Sequence, residues 1–363
     1  MSEAPPVPET PPALRLVLHV GDGKTGTSSI QQTLREQPEK LRRHGFRYLG
    51  LMLEFAPVIH YHWQDPRRAE VFLRLDRSLA TQQLLEVLHD AIASARADGI
   101  HTLLWSNEAF FGRMVNIDSC LEVLQSEGIE LSLVAYVRRH DAWLRSAYSQ
   151  WGIRNKTYQG PLKPFREWFG MRKKRFVPAL AGLEKRFPGC LRVRNMDSLG
   201  DTLADFIGLV GLSGCGLTMR RRNEAAVGAE LVLRAALNNL FDGHVTPYRF
   251  AELLGKGLTF NTTAAERLQA LLPGLDELRG ARDQCNADRE ALDQILAAHD
   301  QPPIMLGELP PKPVDVNESA LLLTLCDIVL RQAVRIEALE KQMPSLLAGA
   351  PPPPGSDGRS ADA

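Results

Sequence analysis

Lys24-Thr25-Gly26-Thr27-Ser28-Ser29 gathers a cation, hydroxyl donors and a glycine into one short run. It lies between the apolar stretch 14–20 and a helix-patterned stretch, so it reads as a loop turning a buried parallel strand into a helix. Such a loop is an anion cradle, because helix N-terminal amides and the helix macrodipole both favour negative charge. Lys24 adds a point charge, and Thr25, Thr27, Ser28 and Ser29 add donors at phosphate-binding reach. The triphosphate loop G-x-x-x-x-G-K-[ST] carries its lysine after the last glycine. Here Lys24 precedes Gly26, so the wiring differs.

A second group follows the apolar run Leu133-Val134-Ala135-Tyr136-Val137. Arg138 stands at the end of that strand, and the next helix presents Ser146 and Tyr148. An arginine fork with a hydroxyl suits a phosphate monoester. Glu108 sits just beyond another strand, after Trp105-Ser106-Asn107. In parallel sheets, ligands bind beyond the carboxyl ends of the strands. Lys24, Glu108 and Arg138 all fall at such ends.

These two stretches resemble the sulfotransferase family. Lys24 to Ser29 is similar to its 5′-phosphosulfate loop, K-[ST]-G-T-[ST]. Arg138, Ser146 and Tyr148 match its 3′-phosphate motif, roughly R-x-P-x-x-x-x-x-S-x-Y. The chain departs from that motif at His140, where the family usually has proline. The resemblance implies a P-loop-type fold and 3′-phosphoadenosine 5′-phosphosulfate (PAPS) as co-substrate, with no metal. By it, Lys24 steadies the leaving oxygen, while Thr25, Gly26, Thr27, Ser28 and Ser29 hold the 5′-phosphate and Arg138 and Ser146 the 3′-phosphate. Glu108 is the general base, in a context similar to the family's S-x-E form. The spelling is closer to the carbohydrate-modifying branch, so the expected acceptor is a glycan or glycoconjugate hydroxyl. The motifs span about the first 150 residues, and looser similarity runs through Arg194 and the Asp205-Phe206-Ile207-Gly208-Leu209 helix to Arg222-Asn223-Glu224. His60 and His62 are the rival bases, in an irregular aromatic segment that could wall an acceptor. His19, inside the first strand, reads as a core histidine. Arg172–Arg175 and Arg220–Arg222 are basic clusters near an anionic acceptor or the nucleotide, but the family's R-K-G closing motif is absent.

The elements that must position these groups alternate. Strands are expected at 14–20, 46–49, 100–106, 131–137 and 190–193. Helices are expected at 27–44, 79–99, 117–127, 201–211 and 225–241, with two between 163 and 187. Alternation of this kind argues for an α/β fold, a central parallel sheet flanked by helices. The division is a disordered leader at 1–12, a core at 13–224, a mostly helical C-terminal extension at 225–347 and a disordered tail at 348–363. A last helix at about 317–343 offers an apolar face to the core or to a second subunit, a homo-oligomer in the latter case.

Composition narrows the function. In 363 residues, Lys+Arg and Asp+Glu both total 43, so net charge does not suggest nucleic-acid binding. The five cysteines, Cys120, Cys190, Cys215, Cys285 and Cys326, lie far apart and form neither a zinc site nor a disulfide framework. No apolar run reaches the ~20 residues of a membrane span. A cytoplasmic enzyme is the expectation. Two rivals stand beside it: a P-loop nucleotide-dependent kinase, and a catalytically silent nucleotide-binding or assembly protein. The kinase is opposed by the lysine position and by the lack of a Mg²⁺-binding carboxylate after an apolar strand.

Overall fold

The computed structural model describes residues 13–171, 176–220, 228–254 and 272–307 apart from single positions, with scattered positions between 321 and 340. The two chain ends, Arg172–Arg175 and Arg221–Arg222 lie outside the described residues.

The fold is α/β around a five-stranded, wholly parallel sheet in the order β2-β3-β1-β4-β5. The strands are β1 (Arg15–His19), β2 (Phe46–Tyr48), β3 (Thr102–Ser106), β4 (Glu130–Val137) and β5 (Leu191–Asn195). The helices of its layers are α1 (Thr27–Arg35), α2 (Pro38–Arg43), α3 (Ala69–Leu73), α4 (Arg77–Ala97), α5 (Asp118–Ser126), α6 (His140–Ala147), α7 (Phe165–Met171), α8 (Val177–Arg186) and α9 (Thr202–Val210). Strand side chains alternate between faces. Val17, Leu104, Val134 and Tyr136 therefore join Ile30, Leu34, Leu41, Phe206 and Val210 of α1, α2 and α9 in one buried cluster. Leu16, Leu18, Leu103, Trp105 and Leu133 are buried too. α5 packs on β4, and α4 on α5.

The chain leaves β1 through α1 towards β2 on one side, and leaves β4 through α6 towards β5 on the other. β1 and β4 are neighbours, so the connections diverge at their carboxyl ends, the place where such sheets take ligands.

One expected helix is two. Residues 27–44 break after α1 because Pro38 disfavours helical backbone at Gln37, which sits at φ −133°. Pro38 then starts α2, and Gly45, with φ +77°, ends it.

By compactness the chain forms two units. The first holds 1–148, 165–224 and 273–311; the second holds 149–164, 225–272 and 312–363. The units interleave across the 224/225 boundary expected from sequence. In the first unit, α12 (Leu275–Asp283) packs against α6 and α13 (Asn286–Ala298) against β5. His140 explains part of that docking: its Nε2 lies 2.9 Å from Oδ2 of Asp288 on α13. The residue that departs from the resembled motif is here a buried anchor. The second unit holds α10 (Gly228–Asn238) and α11 (Arg249–Leu254). In it, the Lys156 ammonium is capped by the carbonyls of Gly160 and Phe241.

Candidate functional site

β1 gives way to α1 through Val20–Gly26. Lys24 takes φ +76° and Gly26 φ +90°, both left-handed. For a lysine this costs about 1–2 kcal/mol, so surrounding bonds must enforce it. Three successive carbonyls supply them. Thr25 Oγ1 donates to the Asp22 carbonyl (2.5 Å), Trp143 Nε1 to Gly23 (2.8 Å) and Arg138 Nη1 to Lys24 (3.0 Å). In a trans peptide the N–H points opposite to the C=O. The amides of Gly23, Lys24 and Thr25 are thereby turned away from those donors, and successive loop amides left in this way can serve as anion donors.

Glycine is required at two points of this loop. A Cβ at Gly21 would lie 2.6 Å from His19 Nε2, and one at Gly26 would lie 3.1 Å from Thr202 Cβ.

Arg138 is the group that defines the electrostatics. Burial lowers its pKa, and the carboxylates of Asp197 and Asp141 only partly offset that. Its Nε is buried and has no hydrogen-bond partner among the described residues. Arg139 beside it forms an ion pair with Asp141 at 2.7 Å, whereas Arg138 has no carboxylate within ion-pair distance among the described residues. A half-buried cation in that condition gains from an arriving anion.

The other expected residues divide. Lys24, Ser28 and Ser29 are half-buried on the loop and first turn of α1, with Thr27 buried beside them. Thr25 is fully buried and its hydroxyl shapes the loop. Ser146 is half-buried on α6. Tyr148 is a core aromatic, edge-on to Phe165 and Trp168 at 5.5 Å each. Arg194 pairs with Asp205, which also accepts from the Tyr136 hydroxyl. Arg220 pairs with Glu36 at 2.7 Å, past the far end of α1 and about 14 Å along the helix from the loop.

Glu108 follows β3, beside β1, and its Oε2 accepts from Gln31 Nε2 at 2.7 Å. Gln31 also reaches the Ser106 hydroxyl at 3.4 Å, and that hydroxyl lies 2.8 Å from His19 Nδ1. A hydrogen-bonded row thus runs from the root of the loop to the Glu108 carboxylate. The rival histidines lie elsewhere. His60 Nε2 contacts Asp90 of α4 at 2.7 Å, and His62 is exposed. Gln31, Ser106 and Trp143 were not singled out from sequence. Gln31 could have been, since it falls one helical turn after Thr27 and so faces the same way.

No protein-family model matches the chain, and no curated protein matches it in sequence.

His19 carries a pH signature. It is fully buried, and burial pushes its pKa down to about 3. The unfolded chain binds this proton below about pH 6.5 while the folded one does not. The stability is therefore complete above pH 6.5 and is lost as pH falls towards 3. Denaturant unfolding of His19→Gln should show a pH slope shallower than wild type in that window by up to one proton, about 1.4 kcal/mol per pH unit. Equal slopes would show that His19 is protonated in the fold.

Proposed function

We propose that the protein is a PAPS-dependent sulfotransferase, its β1–α1 loop a 5′-phosphosulfate loop and its sheet a P-loop-type core. The observation that carries this reading is Arg138, a partly desolvated arginine without a carboxylate in ion-pair distance among the described residues, holding the Lys24 carbonyl between the ends of β1 and β4. Its unsatisfied Nε, the cradle formed by Gly21 to Gly26 and the hydroxyls of Thr27, Ser28, Ser29 and Ser146 fit a nucleotide with phosphates at both ends.

In the reaction, an acceptor hydroxyl oxygen attacks sulfur and a new O–S bond forms. The bond from sulfur to the 5′-phosphate oxygen breaks, and its electron pair leaves on that phosphate. Lys24 steadies the developing charge, and the Glu108 carboxylate takes the hydroxyl proton. Positioning and charge stabilisation dominate, as in phosphoryl transfer. The order of Lys24 before Gly26 sets the loop apart from the triphosphate type. The acceptor carries a hydroxyl; its carbohydrate character rests on the resemblance alone. Among the described residues Cys120, Cys190 and Cys215 form no disulfide, which favours a reducing, cytoplasmic setting. Among the described residues no helix is long and apolar enough to cross a membrane.

Calorimetric titration with adenosine 3′,5′-bisphosphate, against AMP and ATP with Mg²⁺, tests the reading. Micromolar binding that depends on the 3′-phosphate is expected. Preference for ATP with Mg²⁺ would favour a kinase.

The partner is a second copy of the chain. In the second unit Leu322, Leu325, Val329, Ile336 and Leu339 are exposed, while Ile328 is buried and Gln332 bonds to the Leu253 carbonyl. The exposed residues fall at the a/d spacing of a two-stranded coil, interrupted at Gln332. Light scattering on Leu325→Glu/Val329→Glu should give a monomer where wild type gives a dimer. An unchanged mass would remove this surface from the assembly.

A further inference from the structure

Glu108 stands on the wall of a cavity of about 200 Å³ beyond the carboxyl ends of β2 and β3. Leu51 and Met52 line it from the stretch after β2, and Pro66, Ala69 and Leu73 from in and around α3. The floor comes from Asn107 to Phe110, after β3. Seven of its nine lining residues are apolar. Of the other two, the Asn107 side chain is committed. Its Nδ2 donates to the Leu51 carbonyl at 2.9 Å, and its Oδ1 accepts from the Ala109 amide at 3.0 Å. Glu108 is thus the polar side chain that the wall offers an occupant, and Gln31 already holds one of its oxygens.

That lining selects against a sugar. A pyranose brings several hydroxyls into the cavity, and each one buried without a partner costs about 1–3 kcal/mol. Hydrocarbon gains from the same walls. An apolar cavity of about 150 Å³ takes up benzene, so this one has room for a six-membered ring with a short substituent.

On the sulfotransferase reading, we infer that this cavity is the acceptor site and that the acceptor is an alcohol whose hydroxyl is borne on an apolar body about one ring in size. The hydroxyl lies at the Glu108 end, between cavity and loop. It loses its proton to Glu108 as its oxygen bonds to sulfur, and the leaving pair goes to the phosphate held by the loop. This replaces the glycan expected from the spelling of the loop. Residues 51–73 do wall an acceptor site, but through leucine, methionine, proline and alanine; His60 turns away to α4.

The test uses the full chain, with benzyl alcohol and methyl β-D-glucopyranoside as probes. Direct binding is read by NMR without nucleotide, and turnover is read with PAPS. Benzyl alcohol is expected to bind and to be sulfated with kcat/KM at least about 100-fold above the glucoside. Ala69→Phe and Leu73→Trp each fill the cavity from a different side. In folded samples, each should weaken binding and turnover of benzyl alcohol at least tenfold, with bisphosphate affinity within twofold of wild type. A preference for the glucoside, or full benzyl alcohol turnover in both variants, would overturn the inference. Failure of the bisphosphate to bind removes the sulfotransferase reading. Failure of benzyl alcohol to bind while the bisphosphate does removes the acceptor assignment.

Discussion

In Glu108→Gln, kcat falls at least about 100-fold while adenosine 3′,5′-bisphosphate binds as in wild type. The two effects separate because Glu108 touches none of the groups assigned to the nucleotide. Its described partner is Gln31, through one carboxylate oxygen, and the other remains for the acceptor hydroxyl. Glutamine keeps the size and can keep the Gln31 contact, but it cannot accept a proton at neutral pH. Single-turnover sulfation with saturating PAPS, beside calorimetry on the same sample, reads both quantities. Turnover within threefold of wild type would remove Glu108 as base. Gln31→Leu should give a smaller loss, about tenfold in kcat, because it frees the carboxylate to rotate without deleting it.

Arg138→Ala weakens adenosine 3′,5′-bisphosphate binding by about 30- to 100-fold, within the worth of one charge-assisted hydrogen bond at about 1.5–3 kcal/mol. Two losses combine. The cation facing the ligand disappears, and the Lys24 carbonyl loses the donor that helps keep it in a left-handed conformation. Arg138→Lys distinguishes them, since it restores the charge without the fork that can hold the carbonyl and an anion together. It should recover only part of the affinity. Titration of both variants at matched salt checks this. Wild-type affinity in Arg138→Ala would mean that the guanidinium neither meets the ligand nor is needed to hold the loop, and the reading built on it would fail.

Strands, their parallel character and the position of the loop were legible in the residues from Leu14 to Val137. Apolar runs ending at glycine or at charged residues mark buried strands, and helical spacing between them requires crossovers. The break at Pro38 was also legible through proline's effect on the preceding residue. It is masked by the periodicity of Ile30, Leu34 and Leu41, which continues across it.

Sequence by itself determined that a lysine- and hydroxyl-bearing loop, an arginine and a carboxylate stand at strand ends, because strand-then-loop order places such residues at one edge of a parallel sheet. It could not say what each side chain touches, since those partners are far away in the chain and meet only on folding. Arg138 reaches Lys24 across 114 residues, and Trp143 reaches Gly23 across 120. Tertiary structure alone turned Thr25 inward, put Tyr148 in the core, drew His60 to α4 and sent Arg220 to the far end of α1. It also formed a partly open, apolar cavity beside Glu108 from segments after two separate strands. The volume and polarity of a cavity are properties of packed surfaces, and no single segment of this chain carries them.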